Sequence, residues 1–274
     1  MSDIWSILIE FLFRLTSGMA LAMAITPARW VSSGFFRVHL WVLMGIQTFA
    51  ALALYSRREM YAPWGEGTGW QLAGVAALAA TISYVGAVLW MYDALRAGKI
   101  AIVLVALLAA IGSFGLAWPA ATTTAARSTG IHLWLQGLDG LPGSLLLGGV
   151  VTAMLLGHWY LNSPGMKMEP LQRLLIFLAG ALILRTFWSA GTLLAELQTR
   201  SAAEQTLQTS FLLFLVLRWL AGIVGPAGMT FLTWQTLKIP NTQSATGILY
   251  AAVILVFIGE LTARLMSATS TFPL

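Results

Sequence analysis

IAIVLVALLAAIGSFGLAWPAA, residues 100–121, runs without one charged side chain. A helix needs roughly 20 apolar residues to cross a hydrocarbon core about 30 Å thick, so this stretch is long enough to span a bilayer. Working outward, segments of the same character occupy residues 4–26, 36–56, 70–92, 143–161, 171–196, 210–236 and 243–266. Each reads as a helix, because a spanning segment must satisfy its own backbone hydrogen bonds and the alternating pattern of a barrel strand is absent. Eight crossings leave little of the 274 residues over. The expected fold is therefore all-α: one polytopic membrane domain, residues 1–274, forming a bundle of about eight transmembrane helices.

Composition points the same way. Hydrophobic residues make up 58% of the chain and charged residues 9%, with a mean hydropathy of +0.81, whereas about a quarter of the residues in soluble domains are charged. No soluble catalytic domain fits between the spans. The chain has no cysteine, which excludes disulfides, thiolate metal sites, iron–sulfur clusters and c-type haem attachment, so any haem here would be b-type. The net charge of +5 is spread over short turns, as in a bacterial-type inner-membrane protein, and implies no nucleic-acid partner. Asp3 stands ahead of the first segment where a signal peptide would be basic, and Glu10 and Arg14 interrupt its apolar run, so it reads as a retained helix rather than a signal peptide.

Orientation follows from the turns. Those after the first, third, fifth and seventh segments carry Arg29, Arg37, Arg96, Lys99, Lys167, Arg173 and Lys238, against Arg57, Arg58, Arg127 and Arg200 on the other side. The excess places both termini on the non-cytoplasmic side. Trp30, Trp90, Trp159 and Trp234 flank the basic turns and read as an interfacial aromatic belt. Residues 57–69 and 122–142 read as longer outer loops. The second holds His132, expected to be solvated, and its apolar residues 131–135 and 138–141 suggest a short helix lying on the surface.

Ionisable groups within the spans carry the remaining information, since each costs at least about 2.5 kcal/mol at the bilayer centre unless paired or wetted. Glu10 and Arg14 stand four apart in the first span, and Glu260 and Arg264 four apart in the last, a spacing that allows pairing along one helix face. Arg185 and Arg218 lie deep in the sixth and seventh segments and need anionic partners, for which Glu10, Glu196 and Glu260 are the candidates. Such a set reads as a packing network, as a proton or ion path, or, for Arg14, Arg185 and Arg218, as a clamp for anionic groups such as haem propionates.

Two histidines lie at the same expected depth, His39 about one turn into the second segment and His158 about one turn before the end of the fifth. Facing imidazoles at one level would suit the two axial ligands of a haem iron. They would equally suit a quinone site, with Asp93 or Glu260 handling protons. Interfacial side chains bonded to backbone carbonyls would look the same in the sequence.

Weaker signals remain. Asn162-Ser163-Pro164-Gly165 reads as a helix stop, and Pro240-Asn241-Thr242 as a helix start capped by Asn241 or Thr242. Gly222, Gly225, Pro226 and Gly228 are expected to loosen the seventh segment, with Pro226 freeing a backbone carbonyl.

The architecture resembles, at the level of fold alone, the multi-helix membrane anchors of respiratory complexes, which hold quinone or b-type haem beside a peripheral redox subunit. The resemblance implies a non-catalytic, lipid-bound subunit of a larger redox assembly, passing electrons through haem b or quinone to membrane or peripheral partners. A secondary transporter or ion pathway and a cofactor-free scaffold are the alternatives. Reporter fusions at Arg96 and Arg200 test the orientation: Arg96 is expected to report the cytoplasm and Arg200 the opposite side.

Overall fold

The computed structural model describes residues 4–65, 67–123, 130–163, 165–199, 209–239, 241–268, 270 and 272–274, without the side chains of residues 63, 64, 118–123, 131–133 and 199. Arg127, Pro164, Arg200, Pro240 and the His132 side chain lie outside the described residues. The helices are α1 (Ile4–Ile25), α2 (Ser33–Ser56), α3 (Thr68–Met91), α4 (Leu95–Thr123), α5 (Gly130–Asn162), α6 (Glu169–Thr199), α7 (Thr209–Trp219), α8 (Gly225–Leu237) and α9 (Thr242–Ser267). A π-helical turn, Leu220–Val224, joins α7 and α8 into one span. Eight spans are long and apolar enough to cross a membrane, and no strand occurs among the described residues.

The helices pack as two rings of four. In the first, α1 touches α2 and α4, and α3 lies between α2 and α4; in the second, α5 touches α6 and α9, which meet across α8. The rings join where α5 lies against α1 and α4. Toward the face opposite the N terminus, one apolar core runs through both rings, including Met19, Leu40, Val105, Val150, Leu178 and Ala252. Nearer the N-terminal face, the first ring has a smaller apolar cluster around Phe13, Leu54 and Ala76.

Helix ends follow local chemistry. Asn241 Oδ1 accepts the Ser244 N–H at 3.0 Å, the expected N-cap of the last span. Lys99 Nζ donates to the Ala24 and Thr26 carbonyls at 2.7 and 2.9 Å, placing a cation on the carbonyl end of α1. At the break in the seventh span, the Gly225 N–H reaches back to the Leu220 carbonyl. Pro226, lacking an N–H, follows directly, and the π turn absorbs the register that an α-helix would lose there.

Two expectations are corrected. Residues 130–142 are not part of an outer loop but the first turns of α5, continuous with the span. Pro142 forgoes one backbone bond, a loss that packed membrane helices tolerate. Trp90 is no belt residue: it is fully buried and stacks on Phe36 with ring centroids 4.1 Å apart. Trp30 does sit at an end of the bundle, beneath the cations of Lys167 and Arg173.

Rings this close need small residues at the seam. A Cβ on Gly18 would collide with the Ser144 carbonyl, and one on Gly148 with the backbone of Gly18 and Met19. Backbones meet there directly, as small-residue crossings in membranes allow. Gly148→Ala is expected to lower stability in detergent by about 1–3 kcal/mol, the cost of overpacking. Gly180→Ala, with nothing within 4 Å of the added methyl, should be neutral or stabilising. Thermal unfolding of the two variants checks the pair.

Candidate functional site

A charged chain links α1 of the first ring to the interior of the second, on the side nearer the N terminus. α1 contributes Glu10 and Arg14, α5 Asp139, α6 Arg185, α7 Arg218, and α9 Glu260 and Arg264. Arg264 pairs with Glu10. Glu10 in turn accepts from Arg14 Nε at 3.0 Å. Arg14 Nη2 reaches Asp139 at 3.0 Å, and the other oxygen of Asp139 takes Arg185 Nη1 at 2.5 Å. Arg185 grips Glu260 with two parallel bonds, from Nε at 2.8 Å and Nη2 at 3.0 Å, the fork geometry that suits a guanidinium to a carboxylate. Arg218 Nη2 lies 3.7 Å from Glu260 and donates to Ser189 Oγ at 2.9 Å. The order is strictly alternating in sign from Arg264 to Arg218.

Glycine makes the space for these side chains. A Cβ on Gly143 would approach Glu260 Oε2 to 2.7 Å and Arg14 Nη1 to 3.0 Å, and one on Gly222 would strike Arg218 Nη1. The π turn brings Gly222 against Gly259 so closely that a Cβ on Gly259 would meet the Gly222 backbone. Arg218 keeps Nε and Nη1 without hydrogen-bond partners among the described residues, as Arg14 does Nη1.

A second feature adjoins the chain. Between α1, α4 and α5 lies a cavity of about 450 Å³, lined by Ser17, Ser113, Ser144 and Gly140 and by apolar side chains that include Ile111, Phe114 and Leu138.

No family model, curated protein or solved structure matches this chain.

The expected site residues separate into groups. Arg14, Arg185, Arg218 and Glu260 come together as described. Glu196 is buried and accepts the Phe272 N–H at 3.0 Å. Asp93 lies elsewhere, exposed in the α3–α4 turn with a positive φ of 53°, a conformation that aspartate tolerates better than most residues.

The histidines lie near the opposite face. His39 is buried, its Nδ1–H donating to the Phe35 carbonyl at 2.5 Å, with the Phe35 and Trp159 rings beside it at centroid distances of 4.2 and 6.4 Å. His158 is exposed, with its Nδ1 3.5 Å from the Tyr250 hydroxyl on α9. Adjacent helical residues point about 100° apart, so α5 turns Trp159 toward α2 and His158 toward α9. A porphyrin ligated by both imidazoles needs rings that face one another; these two do not fit that arrangement.

Sequence reasoning missed Asp139, which links Arg14 to Arg185. The signal was present, since the interrupted apolar run Leu133, Leu135, Leu138, Leu141, Leu145 has helical spacing and carries straight into the span. Replacing Arg185 by leucine leaves Asp139 with Arg14 alone and takes from Glu260 its two short bonds, and is expected to cost about 3–5 kcal/mol. Adding Asp139→Leu to Arg185→Leu should recover part of that loss. A double-mutant cycle read by unfolding in detergent measures the coupling.

Proposed function

We propose that the chain is a membrane subunit of a larger redox assembly in a bacterial-type inner membrane, with both termini on the non-cytoplasmic side and its charged core acting as a clamp rather than a conduit. One observation carries the choice of clamp over conduit: Glu10, Arg14, Asp139, Arg185, Arg218 and Glu260 are all at most 4% exposed, and each of the three carboxylates is held by at least two arginines. A proton or ion path needs groups that exchange with water from each side in turn, whereas buried, mutually bonded ions fix helix positions. The redox assignment is drawn by analogy, in helix number and composition alone, with multi-helix respiratory anchors. Given the separate neighbours of His39 and His158, the electron carrier in this reading is a quinone rather than a bis-histidine haem.

The test is affinity purification in a mild detergent, followed by native sizing and a visible spectrum. A stoichiometric complex with a partner that bears a redox centre is expected. In proteoliposomes, the chain and its Glu260→Gln variant should show the same background proton leak. A lone chain that carries protons or solute, with flux abolished by Glu260→Gln, would overturn the reading in favour of transport.

A further inference from the structure

Two turns meet at the face opposite the N terminus, one from each ring. The α1–α2 turn carries Arg29 and Trp30, and the α5–α6 turn carries Lys167, with Arg173 about one turn into α6. Both turns are fixed in place. Val31 is buried in the apolar core, and Ser32 Oγ accepts the Trp159 Nε1–H at 2.9 Å, which ties the first turn to α5. In the second, Met166 and Met168 pack against the same core, and the Tyr160 hydroxyl donates to the Lys167 carbonyl between them. The Lys167 side chain is left exposed, as is that of Arg173.

These side chains converge on one ring. Lys167 Nζ lies 5.3 Å and the Arg173 guanidinium 4.7 Å from the centre of the Trp30 indole. The ring attracts both cations, but nothing neutralises them. Among the described residues neither is paired with a carboxylate. Glu169 stands four residues before Arg173, a spacing that allows a pair, and makes none. At the other end of the bundle Arg58 shares its rings, Tyr55 and Trp70, with no second cation and donates to the Tyr55 carbonyl. Two unmatched cations held on one aromatic ring suit a phosphate anion, whose oxygens accept from both and remove their mutual repulsion.

The surface below selects the kind of anion. Ile176, Gly180, Ile183 and Phe187 follow Arg173 at intervals of three and four residues, so they continue its face of α6, and all four are exposed. The helix is long and apolar enough to cross a membrane, which puts the two cations at its end, where headgroups lie, above an apolar stripe about 20 Å long. A soluble phosphate or an acidic protein would use the cations and leave the stripe uncovered. A phospholipid covers both.

We propose that Trp30, Lys167 and Arg173 bind the headgroup of an anionic phospholipid, its phosphate between the two cations and one acyl chain along the stripe from Ile176 to Phe187. Such a lipid joins a turn of the first ring to a helix of the second. The site does not depend on the subunit reading.

The experiment offers the full chain in detergent equal amounts of phosphatidylglycerol and phosphatidylcholine with the same acyl chains, and counts the retained lipids by native mass spectrometry. One phosphatidylglycerol, kept in preference, is expected. A basic side chain beside an anionic headgroup strengthens binding about fivefold, so Lys167→Gln and Arg173→Gln should each lower the preference about fivefold and together abolish it. Arg96→Gln removes the same charge from another exposed position on this face and should leave the preference unchanged. Glycerol phosphate, the headgroup without tails, should not displace the lipid at equal concentration. Added phosphatidylglycerol should raise the unfolding temperature of the unmodified chain and not that of the double variant.

Equal retention of the two lipids would overturn the proposal. So would a loss in Arg96→Gln as large as in Arg173→Gln, which would mean surface charge without a site. Competition by glycerol phosphate on equal terms would reassign the cations to a soluble anion. An acidic protein that copurifies and is lost in the double variant, while lipid retention persists, would reassign them to a protein partner.

Discussion

An ion in hydrocarbon must be matched by another, and much of the second ring is arranged around that constraint. The alternating order from Arg264 to Arg218 gives each carboxylate two or more guanidinium neighbours, while Arg14 and Arg185 each bridge two carboxylates. Because the partners come from five different spans, meeting the electrostatic demand also fixes where those spans sit. The first ring contributes Glu10 and Arg14 from α1, while its own interior at the same end is lined by apolar residues such as Phe13, Leu54 and Ala76.

Steric provision for the ions is as specific as the ions themselves. Gly143 and Gly222 occupy positions where any side chain would displace Arg14, Glu260 or Arg218. The π turn ahead of Pro226 brings the helix that carries Arg218 against Gly259, one residue from Glu260. The small-residue seam of Gly18, Ser144 and Gly148 lies on the same two helices that supply Arg14 and Asp139, so close backbone approach and ion pairing support each other. The cavity beside Gly140 is the outer margin of this small-residue region, where α4 and α5 no longer fill the space that glycine leaves.

The spans were legible because eight apolar runs of bilayer length have few alternative readings. Most of the charged chain was legible too: Glu10 with Arg14, and the need of Arg185 and Arg218 for carboxylates, followed from the cost of isolated charge. Asp139 was not, because Gly137, Gly140, Pro142 and Gly143 look like loop chemistry until their neighbours are known; in the fold Gly140 and Gly143 lie against Arg14, and Gly137 lies under the Phe114 ring. The histidines show a different limit. Depth along a helix can be counted from the sequence, but the direction a residue faces depends on how helices are rotated against one another, and here Trp159 took the position toward His39. Trp90 likewise sits near a turn yet is drawn inward by its stack on Phe36.

The charged chain also implies an order of membrane insertion. α1 enters with its own pair, Glu10 and Arg14, already matched. When α5 emerges from the ribosome, Asp139 finds Arg14 waiting, and α6 then brings Arg185 to Asp139. Arg218 precedes its carboxylate in the chain, so the α7–α8 span carries the one charge whose partner comes later, with Glu260 of α9. α9 closes the series at both ends, since Arg264 returns to Glu10 at the start of the chain. Synthesis from the N terminus thus adds most charges to a partner already in place, and leaves a single span whose charge is matched only when the last helix is made.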